Sequence, residues 1–238
     1  MMLEVKSVSK AFGMIVVASD IDLSLARGEA LGIIGPNGAG KSTLFNLITG
    51  MLRPDRGSIL LEGRDITGLP PEQRCRAGIG RSFQIPLPFE HLSVFENLSV
   101  AASFGGGMSQ VEAVQVCGET LALTGLEAKA NLRAGSLSLL DRKRLELARA
   151  LATRPRILLL DEIAGGLTDA ECHILIETIR SIHARGTSII WIEHVVHALL
   201  AVVSRLVVLD FGRIVAQGDP PEVMRSTEVQ TIYMGVPA

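Results

Sequence analysis

The stretch Gly35-Pro36-Asn37-Gly38-Ala39-Gly40-Lys41-Ser42-Thr43 decides how this sequence folds. Its spacing of a glycine, four residues, a second glycine, a lysine and a serine or threonine is that of a phosphate-binding P-loop. The apolar run Ala30–Ile34 before it predicts a buried parallel strand, and residues 44–48 after it have helical spacing. A glycine-rich turn between a strand and a helix could be purely structural, but this strand and helix are the setting that a P-loop requires.

Each residue type in the stretch suits phosphate binding. The glycines let successive backbone N–H groups point inward at phosphate oxygens, and the following helix adds its partly positive N-terminus. We expect Lys41 to place its charge on the β- and γ-phosphates, and the Ser42 hydroxyl to ligate the Mg²⁺ that bridges them. Thr43 is expected to support the turn. The stretch is therefore a predicted nucleotide-binding site.

A second apolar strand, Ile157–Asp161, ends in the two carboxylates Asp161 and Glu162. An unbroken apolar run is typical of a central parallel strand, which would deliver both acids to the sheet edge where the P-loop lies. There Asp161 is expected to hold the Mg²⁺ and Glu162 to polarise the attacking water. A strand can also simply end in solvated charges, but the P-loop upstream favours the catalytic interpretation.

Residues 188–193 predict a third central strand, which leads into His194. At the same sheet edge, an imidazole could donate a hydrogen bond to the γ-phosphate. A single histidine is more often an ordinary surface or core residue, so the sequence leaves both roles open for His194.

The residues before the P-loop predict short, partly alternating strands with a turn at Phe12-Gly13, and residues 58–63 predict a further edge strand. Together they indicate a small antiparallel layer beside the nucleotide. Phe12 is the aromatic side chain best placed to stack on a base, although a phenylalanine in a turn often serves packing alone.

Residues 84–156 have a helical pattern and predict an inserted lobe. Ser93 with Glu96, and Ser109 with Glu112, have the spacing of capping boxes at two helix starts. At the entrance of the lobe, residues 85–89 combine apolar side chains with two prolines that force an extended path. This loop is either buried within its own lobe or a surface for a partner helix.

After the acidic pair, Thr168 and Glu171 predict the start of a helix that ends at Gly186. We expect Ile174, Ile179 and Ile182 to face the core. The chain then forms one domain over residues 1–238, with a catalytic core over 1–83 and 157–238 and a helical lobe over 84–156.

Composition narrows the class of protein. The 23 Lys and Arg nearly balance the 25 Asp and Glu, so no basic field favours nucleic acid as a partner. Mean hydropathy is high at +0.36, but charges interrupt every apolar run before the roughly 18 residues that a membrane span needs. No secretory signal is visible, so we expect a cytoplasmic protein that docks against another protein. Cys75, Cys117 and Cys172 lack metal-ligand spacing and predict reduced thiols.

With the P-loop, Gln84, the acidic pair and His194 in this order, the whole chain resembles the ATP-binding subunits of ABC transporters. The resemblance implies an ATPase with ATP and Mg²⁺ as cofactors. It implies an α/β fold, a RecA-like P-loop NTPase core with an antiparallel β layer and an inserted α-helical lobe. In the family an aromatic residue near Phe12 stacks on adenine, a glutamine matching Gln84 senses Mg²⁺ and the lytic water, and a histidine matching His194 clamps the γ-phosphate. The metal ligands so implied are Ser42, Gln84 and Asp161.

The family also has a Leu-Ser-Gly-Gly-Gln signature before a helix, and the corresponding residues here are Leu137-Ser138-Leu139-Leu140-Asp141. In the family the signature acts across a dimer, where its serine and backbone N–H groups bind the partner's γ-phosphate. Ser138 is therefore a predicted nucleotide contact, but Leu139 and Leu140 add side chains where glycines allow close approach. We expect a heterodimer with a different ATP-binding subunit, with a homodimer as the alternative. Ile163 also stands where the family usually has proline.

Two further stretches, Arg81-Ser82-Phe83-Gln84-Ile85-Pro86 and Leu92-Ser93-Val94-Phe95-Glu96-Asn97-Leu98, resemble subunits that serve importers of branched-chain and other hydrophobic amino acids, amides and urea. The resemblance implies two integral-membrane permease subunits as partners and, indirectly, a periplasmic substrate-binding protein. The chain would then lie on the inner face of the cell membrane, and the substrate would be chosen elsewhere.

Two other classes compete with a transport ATPase. A non-transport ABC ATPase that acts on DNA or ribosomes would generally carry coiled-coil insertions or tandem P-loops, and this sequence has one P-loop and no long heptad run. A P-loop kinase or GTPase would need an acceptor lid or a base-reading motif, and would leave the helical lobe and His194 without a role.

Overall fold

The computed structural model describes residues 1–234, in which strands alternate with helices. The strands are β1 (Leu3–Phe12), β2 (Ile15–Leu25), β3 (Ala30–Ile34), β4 (Arg56–Leu61), β5 (Arg64–Asp65), β6 (Ile79–Ser82), β7 (Ile157–Asp161), β8 (Ser188–Ile192), β9 (Arg205–Asp210) and β10 (Arg213–Gly218). The α-helices are α1 (Lys41–Thr49), α2 (Pro71–Arg76), α3 (Val94–Val100), α4 (Gln110–Thr124), α5 (Leu139–Ala152), α6 (Asp169–Ala184), α7 (Val196–Leu200), α8 (Pro220–Arg225) and α9 (Thr227–Met234).

The central sheet has the order β10-β9-β3-β8-β7-β6, parallel throughout except for β10, which pairs antiparallel with β9. Every residue of β3, β7 and β8 is buried, as their apolar sequences predict. Because these three parallel strands are neighbours, their carboxyl ends meet at one edge. The P-loop, the acidic pair and His194 therefore lie along the same edge of the sheet.

A second, antiparallel sheet has the order β2-β1-β4-β5. Its first two strands are longer than the short strands predicted, because register shifts let one continuous ladder absorb the irregular alternation. The strand predicted over residues 58–63 is present as β4, but it ends at Leu61 and is not the edge of the sheet. Glu62 and Gly63 both have positive φ and form a tight turn, so β5 folds back and pairs with the outer side of β4.

One apolar core lies between the two sheets and surrounds α1. Its members come from both sheets and include Leu44, Phe45, Leu47 and Ile48 of that helix. A second core packs α6 and the last helices against the other face of the central sheet. The predicted α/β P-loop NTPase fold is confirmed, with the helix after the P-loop at its centre.

The helical lobe has a core of its own, formed by α3, α4, α5 and the segments that join them. Both predicted capping boxes are present, at Ser93 with Glu96 and at Ser109 with Glu112. Helix α5 also contributes buried residues to the second core, so the lobe is joined to the catalytic core through this helix. The boundaries at residues 84 and 156 stay a prediction.

Helix α6 begins at the predicted capping box, but one of its predicted core residues is wrong. Ile179 and Ile182 are buried, whereas Ile174 is 42% exposed. The buried stripe runs through Cys172, Leu175, Ile176, Ile179 and Ile182. Ile174 follows Cys172 by two residues, which is about 200° around the helix, so it lies on the opposite face.

All three cysteines are free, as predicted, with Cys117 and Cys172 buried and Cys75 half-buried. Within residues 1–234, no helix combines the length and apolar character needed to cross a membrane.

Candidate functional site

The backbone of the P-loop passes close to two strands at two of its glycines. At Gly40, which has φ of 102°, an added Cβ would lie 2.6 Å from the carbonyl oxygen of Val17 in β2. At Gly35 an added Cβ would lie 2.2 Å from the carbonyl oxygen of Leu209 in β9. Only glycine fits these positions, so the neighbouring strands fix the path of the loop.

Lys41 opens α1 and is almost fully buried beneath the loop. Its Nζ donates to the carbonyl oxygens of Gly35, at 2.7 Å, and Pro36, at 3.0 Å. Burial lowers the pKa of the Lys41 ammonium, while the carboxylates of Glu162 and Asp161 oppose that shift. A phosphate group in the loop would add negative charge and favour the ammonium form.

The other predicted residues of the loop divide by exposure. Asn37, Gly38 and Ser42 are exposed, whereas Ala39 is buried. Ser42 lies at the start of α1 and lines one cleft together with Asp161 and Gln84. The three predicted metal ligands therefore face the same space.

Asp161 has a partner that the sequence did not reveal. Its Oδ2 accepts from Nη2 of Arg81 at 2.7 Å, and both side chains are less than a tenth exposed. Arg81 also donates to Oδ1 of Asn46 at 2.7 Å, and its guanidinium carbon lies 4.8 Å from the centre of the Phe83 ring. A charged residue within the otherwise buried strand β6 is the signal that could have identified it.

Glu162 is the centre of the hydrogen-bonding network at this edge. Gln84 donates from Nε2 to Oε2 of Glu162, and His194 Nε2 lies 2.9 Å from Oε1. The structure therefore brings together the three residues predicted to be catalytic. The backbone of Glu162 is left-handed, with φ of 47°, which is unusual for a residue with a Cβ.

Two buried charged residues behind Glu162 were also missed by sequence reasoning. Glu193 is 1% exposed and its carboxylate accepts from the backbone N–H groups of Ala164, His194 and Val195. Lys143 of α5 is 5% exposed, and its Nζ donates to the carbonyl oxygen of Gln84 at 3.2 Å. Burial lowers the pKa of the Lys143 ammonium, with the carboxylates of Glu193 and Glu162 acting in the opposite direction.

Ser138 lies apart from the P-loop network, at the exposed N-terminus of α5. Its hydroxyl donates to Oδ2 of Asp141 at 2.7 Å, and the same carboxylate is paired with Lys129. Burial opposes ionisation of Asp141, but hydrogen bonds from Lys129 and Ser138 outweigh it and lower its pKa. A carboxylate therefore already occupies the anion-binding end of this helix.

Phe12 ends β1 at the tip of the first hairpin and is about half exposed. The ammonium of Lys10 lies 5.5 Å from the centre of its ring. The opposite strand of the hairpin, β2, contacts the P-loop at Gly40. Phe12 is therefore on the hairpin that packs against the loop, and half of its side chain is exposed.

A cleft of about 470 Å³ runs from Ser42 and Asp161 to Ile85 and Leu87 at the entrance of the helical lobe. Ile85 is 68% exposed and Leu87 is 76% exposed. The loop over residues 85–89 therefore presents an exposed apolar surface next to the predicted nucleotide site.

Comparison with known proteins agrees with this arrangement. The sequence profile of the ABC transporter family matches residues 18–165. This chain belongs to the ABC transporter family. It is therefore an ABC ATPase, an ATP-binding subunit that energises membrane transport.

One relative is the lipopolysaccharide export system ATP-binding protein LptB from Acidithiobacillus ferridurans. Its sequence is 36% identical to this chain, and the match covers 98% of this chain and 97% of LptB. The high-affinity branched-chain amino acid transport ATP-binding protein LivG from Salmonella typhimurium is 35% identical over 98% of each chain. The ADP-bound ATP-binding cassette MJ1267 superposes with a TM-score of 0.90 and 31% identity, covering 99% of both chains.

Subunits of the ABC family dimerise and work with membrane permease components. ABC ATPases bind ATP or ADP, and the MJ1267 structure is that of an ADP conformation. The hypothesis of a non-transport ABC ATPase is therefore less well supported than that of a transport ATPase.

Proposed function

We propose that this ABC subunit drives a membrane importer for branched-chain amino acids, or for related hydrophobic amino acids or amides. Similarity to LivG along nearly the whole chain supports this substrate class. The observation that carries a transport role is the exposed apolar loop, which adjoins the cleft that holds the predicted nucleotide residues. In this proposal a periplasmic protein binds the substrate and two permease subunits pass it through the membrane.

A second candidate is the export of a lipid-linked molecule, because LptB is as similar to this chain as LivG is. The two candidates share the ATPase and differ in the permease that the chain serves. The chain's own nucleotide site is compatible with both.

The residues at the sheet edge fit Mg²⁺-ATP. Ser42, Asp161 and Gln84 offer a hydroxyl, a carboxylate and an amide oxygen to one cleft, which is a donor set that suits a hard cation. Arg81 occupies only Oδ2 of Asp161, which leaves Oδ1 for the metal. Held by these residues, Mg²⁺ would supply positive charge that neutralises negative charge on the phosphate oxygens.

The chain's own residues then divide the work of hydrolysis. Lys41 binds phosphate oxygens with a charge that the loop carbonyls already hold in place. Glu162 orients the attacking water and accepts its proton, and Gln84 keeps that carboxylate in position. In this structure His194 Nε2 lies 2.9 Å from Glu162. With ATP bound, His194 donates a hydrogen bond to the γ-phosphate. Phe12 stacks on the adenine.

The apolar loop is the proposed contact with a permease. Phe89 is 49% exposed, and its neighbours Leu87 and Ile85 are more so, which is an arrangement that suits docking of a partner helix. Such a contact places the chain on the inner face of the cell membrane. It also joins the permease to Gln84, which precedes the loop directly.

Pairing with a different ATP-binding subunit is the proposed assembly. Leu139 is 48% exposed and replaces a glycine of the signature. The Ser138 hydroxyl already donates its hydrogen bond to Asp141. Both features weaken phosphate binding by this chain's signature. The P-loop of this chain depends on the partner's signature instead, so a heterodimer would keep one strong site.

The test is to purify the chain with the permease subunits encoded beside it and to reconstitute them in vesicles with the associated binding protein. ATP-dependent uptake of labelled leucine, isoleucine or valine is the expected result. Uptake that is absent while ATPase is stimulated by a lipopolysaccharide would contradict the importer and support the second candidate. The variant Lys41→Ala serves as the control for ATP dependence.

A further inference from the structure

Lys143 is a buried ammonium without an ion pair. It is 5% exposed, and among residues 1–234 no carboxylate lies within the 4.0 Å of its Nζ that would make a salt bridge. Its acceptors are backbone carbonyl oxygens, Gln84 at 3.2 Å and, more weakly, Glu162 at 3.5 Å. A buried charge held in this way costs stability, so a methionine of similar length would serve packing at least as well.

The two carbonyls belong to the residues whose side chains meet in the catalytic network. Gln84 donates from its side chain to Glu162, and Lys143 binds the backbone of both. Gln84 and Glu162 are therefore linked twice, directly through their side chains and indirectly through Lys143, which contacts both backbones. Lys143 thus contacts the backbones of the two residues that meet through their side chains.

Lys143 is a residue of α5, so it connects Gln84 and Glu162 to that helix. The helix carries Ser138 at its N-terminus, and five residues of helix separate the two by about 7.5 Å at 1.5 Å per residue. The helix is rigid over that distance, so a displacement of its N-terminus moves Lys143 with it. Gln84 and Glu162 lie on segments outside the helix.

We infer that Lys143 is a positioning residue that holds Gln84 and Glu162 together and makes their geometry depend on the place of α5. The inference rests on the proposed roles of Gln84 and Glu162 in hydrolysis. Lys143 itself touches neither nucleotide nor water in this scheme. Its effect on turnover passes through the carboxylate of Glu162.

The first experiment is Lys143→Met in the purified transporter, compared with Lys6→Met, which removes an exposed lysine remote from the network. We expect kcat for ATP hydrolysis to fall by on the order of 10-fold to 100-fold, the range for loss of a group that orients a reacting residue. The Kd for a fluorescent ATP analogue should change by less than about 3-fold, because the P-loop is intact. The unfolding temperature should stay within about 4 °C of wild type.

The second experiment combines Lys143→Met with Glu162→Gln. If Lys143 acts through Glu162, the double variant should hydrolyse ATP no more slowly than Glu162→Gln alone, since the two losses share one route. Lys143→Arg, which keeps a cation, should recover part of the turnover. If Lys143→Met fails to fold, Lys143→Arg replaces it in the experiment, and it is then combined with Gln84→Ala.

The result that overturns the inference is a folded Lys143→Met with normal kcat, or a double variant in which the two losses multiply. A parallel fall in unfolding temperature, ATP affinity and turnover would also overturn it, because it would show a structural residue. An inactive wild-type transporter would instead contradict the proposed function.

Discussion

At the scale of single residues, Glu162 is held by its backbone as well as by its carboxylate. Its N–H donates to the carbonyl oxygen of Ile192 at 2.9 Å, and its φ of 47° costs about 1–2 kcal/mol for a residue with a Cβ. Gln84 and His194 then bind its two carboxylate oxygens. The orientation of the carboxylate is therefore set before any substrate arrives, which is what a water-activating base needs.

The first prediction separates phosphate binding from catalysis. Lys41→Ala should weaken ATP binding, because it removes the charge that the loop holds against the phosphates. Glu162→Gln should bind ATP normally and lose turnover by about a hundredfold, or roughly 3 kcal/mol of barrier, since it removes the proposed base. ATP affinity by fluorescence and ATPase in the assembled complex are the measurements.

Glu119→Gln, a substitution of an exposed glutamate on α4, is the matched control and should leave both properties unchanged. Near-normal ATPase in Glu162→Gln would exclude Glu162 as the base. Equal loss of affinity in both variants would show that the two residues do not divide the work.

At the scale of elements, the loop at the entrance of the lobe is pinned by its backbone rather than by its apolar side chains. The amide of buried Asn97 accepts from the N–H of Phe89 at 2.9 Å and donates to its carbonyl oxygen at 3.1 Å. The guanidinium of Arg149 lies 5.4 Å from the Phe89 ring and also donates to Leu87. Hydrogen bonds therefore hold the loop backbone at Leu87 and Phe89, while its apolar side chains stay exposed.

The second prediction follows from this division. Phe89→Ala should lower the free energy of unfolding by about 1 kcal/mol or less, because the ring is half exposed, and should reduce coupling of ATPase to transport. Asn97→Ala should cost about 2 kcal/mol, since it leaves the backbone N–H of Phe89 without its hydrogen-bond partner. Urea unfolding of the chain and transport per ATP hydrolysed are the measurements. A Phe89→Ala chain that unfolds early but still couples normally would contradict the docking role.

The third prediction concerns the start of α6. The backbone N–H of Thr168 and then its hydroxyl lower the pKa of Glu171 below its ordinary 4.5. A depressed carboxylate pKa stabilises the fold above the unfolded value, and that contribution is lost as pH falls through the folded value. Glu171→Gln should therefore be less stable than wild type at pH 7, with a gap that narrows below about pH 4.5.

Urea unfolding at a series of pH values measures that gap. Thr168→Ala, which removes the whole cap, should cost about 1 kcal/mol at pH 7, and Thr168→Ser should restore it. A gap between Glu171→Gln and wild type that stays constant down to pH 3 would show that the carboxylate charge contributes nothing to the cap.

At the scale of the whole molecule, the N-terminal half of α5 contributes to two different proposed sites. Its N-terminus carries the altered signature, whereas Lys143 lies beside this chain's own Glu162. Asp141 brings a negative charge to the end of the helix that would otherwise attract phosphate. In the proposed heterodimer, the surface that this chain offers to the partner's nucleotide is poor, whereas its own P-loop edge carries the residues proposed to hydrolyse ATP.

The fourth prediction is an unequal pair of sites. The base-removing Glu→Gln change, placed in one subunit at a time, should abolish most ATPase when it is Glu162→Gln here and much less when it is in the partner. The expected difference is at least roughly tenfold, or about 1.4 kcal/mol. ATPase of the reconstituted transporter is the measurement. Equal losses, or a fully active homodimer of this chain, would show that Leu139-Leu140 is a tolerated form of the signature.

The sequence alone determined the P-loop, the three central strands and the capped helices of the lobe. These features are local, because backbone conformation and burial follow from glycine spacing, apolar runs and side chains that bond within four residues. The shared edge of the site also followed, since parallel strands with apolar sequences place their carboxyl ends together.

Only the tertiary structure decided which side chains meet there. The pair of Arg81 with Asp161, the bond of Gln84 to Glu162 and the cation of Lys143 behind both join residues from β6, β7 and α5. Sequence spacing carries no signal for such contacts, because they depend on how far one element is rotated against another. Ile174 was placed in the core for its apolar side chain, but it lies on the face of α6 opposite the buried stripe and is exposed.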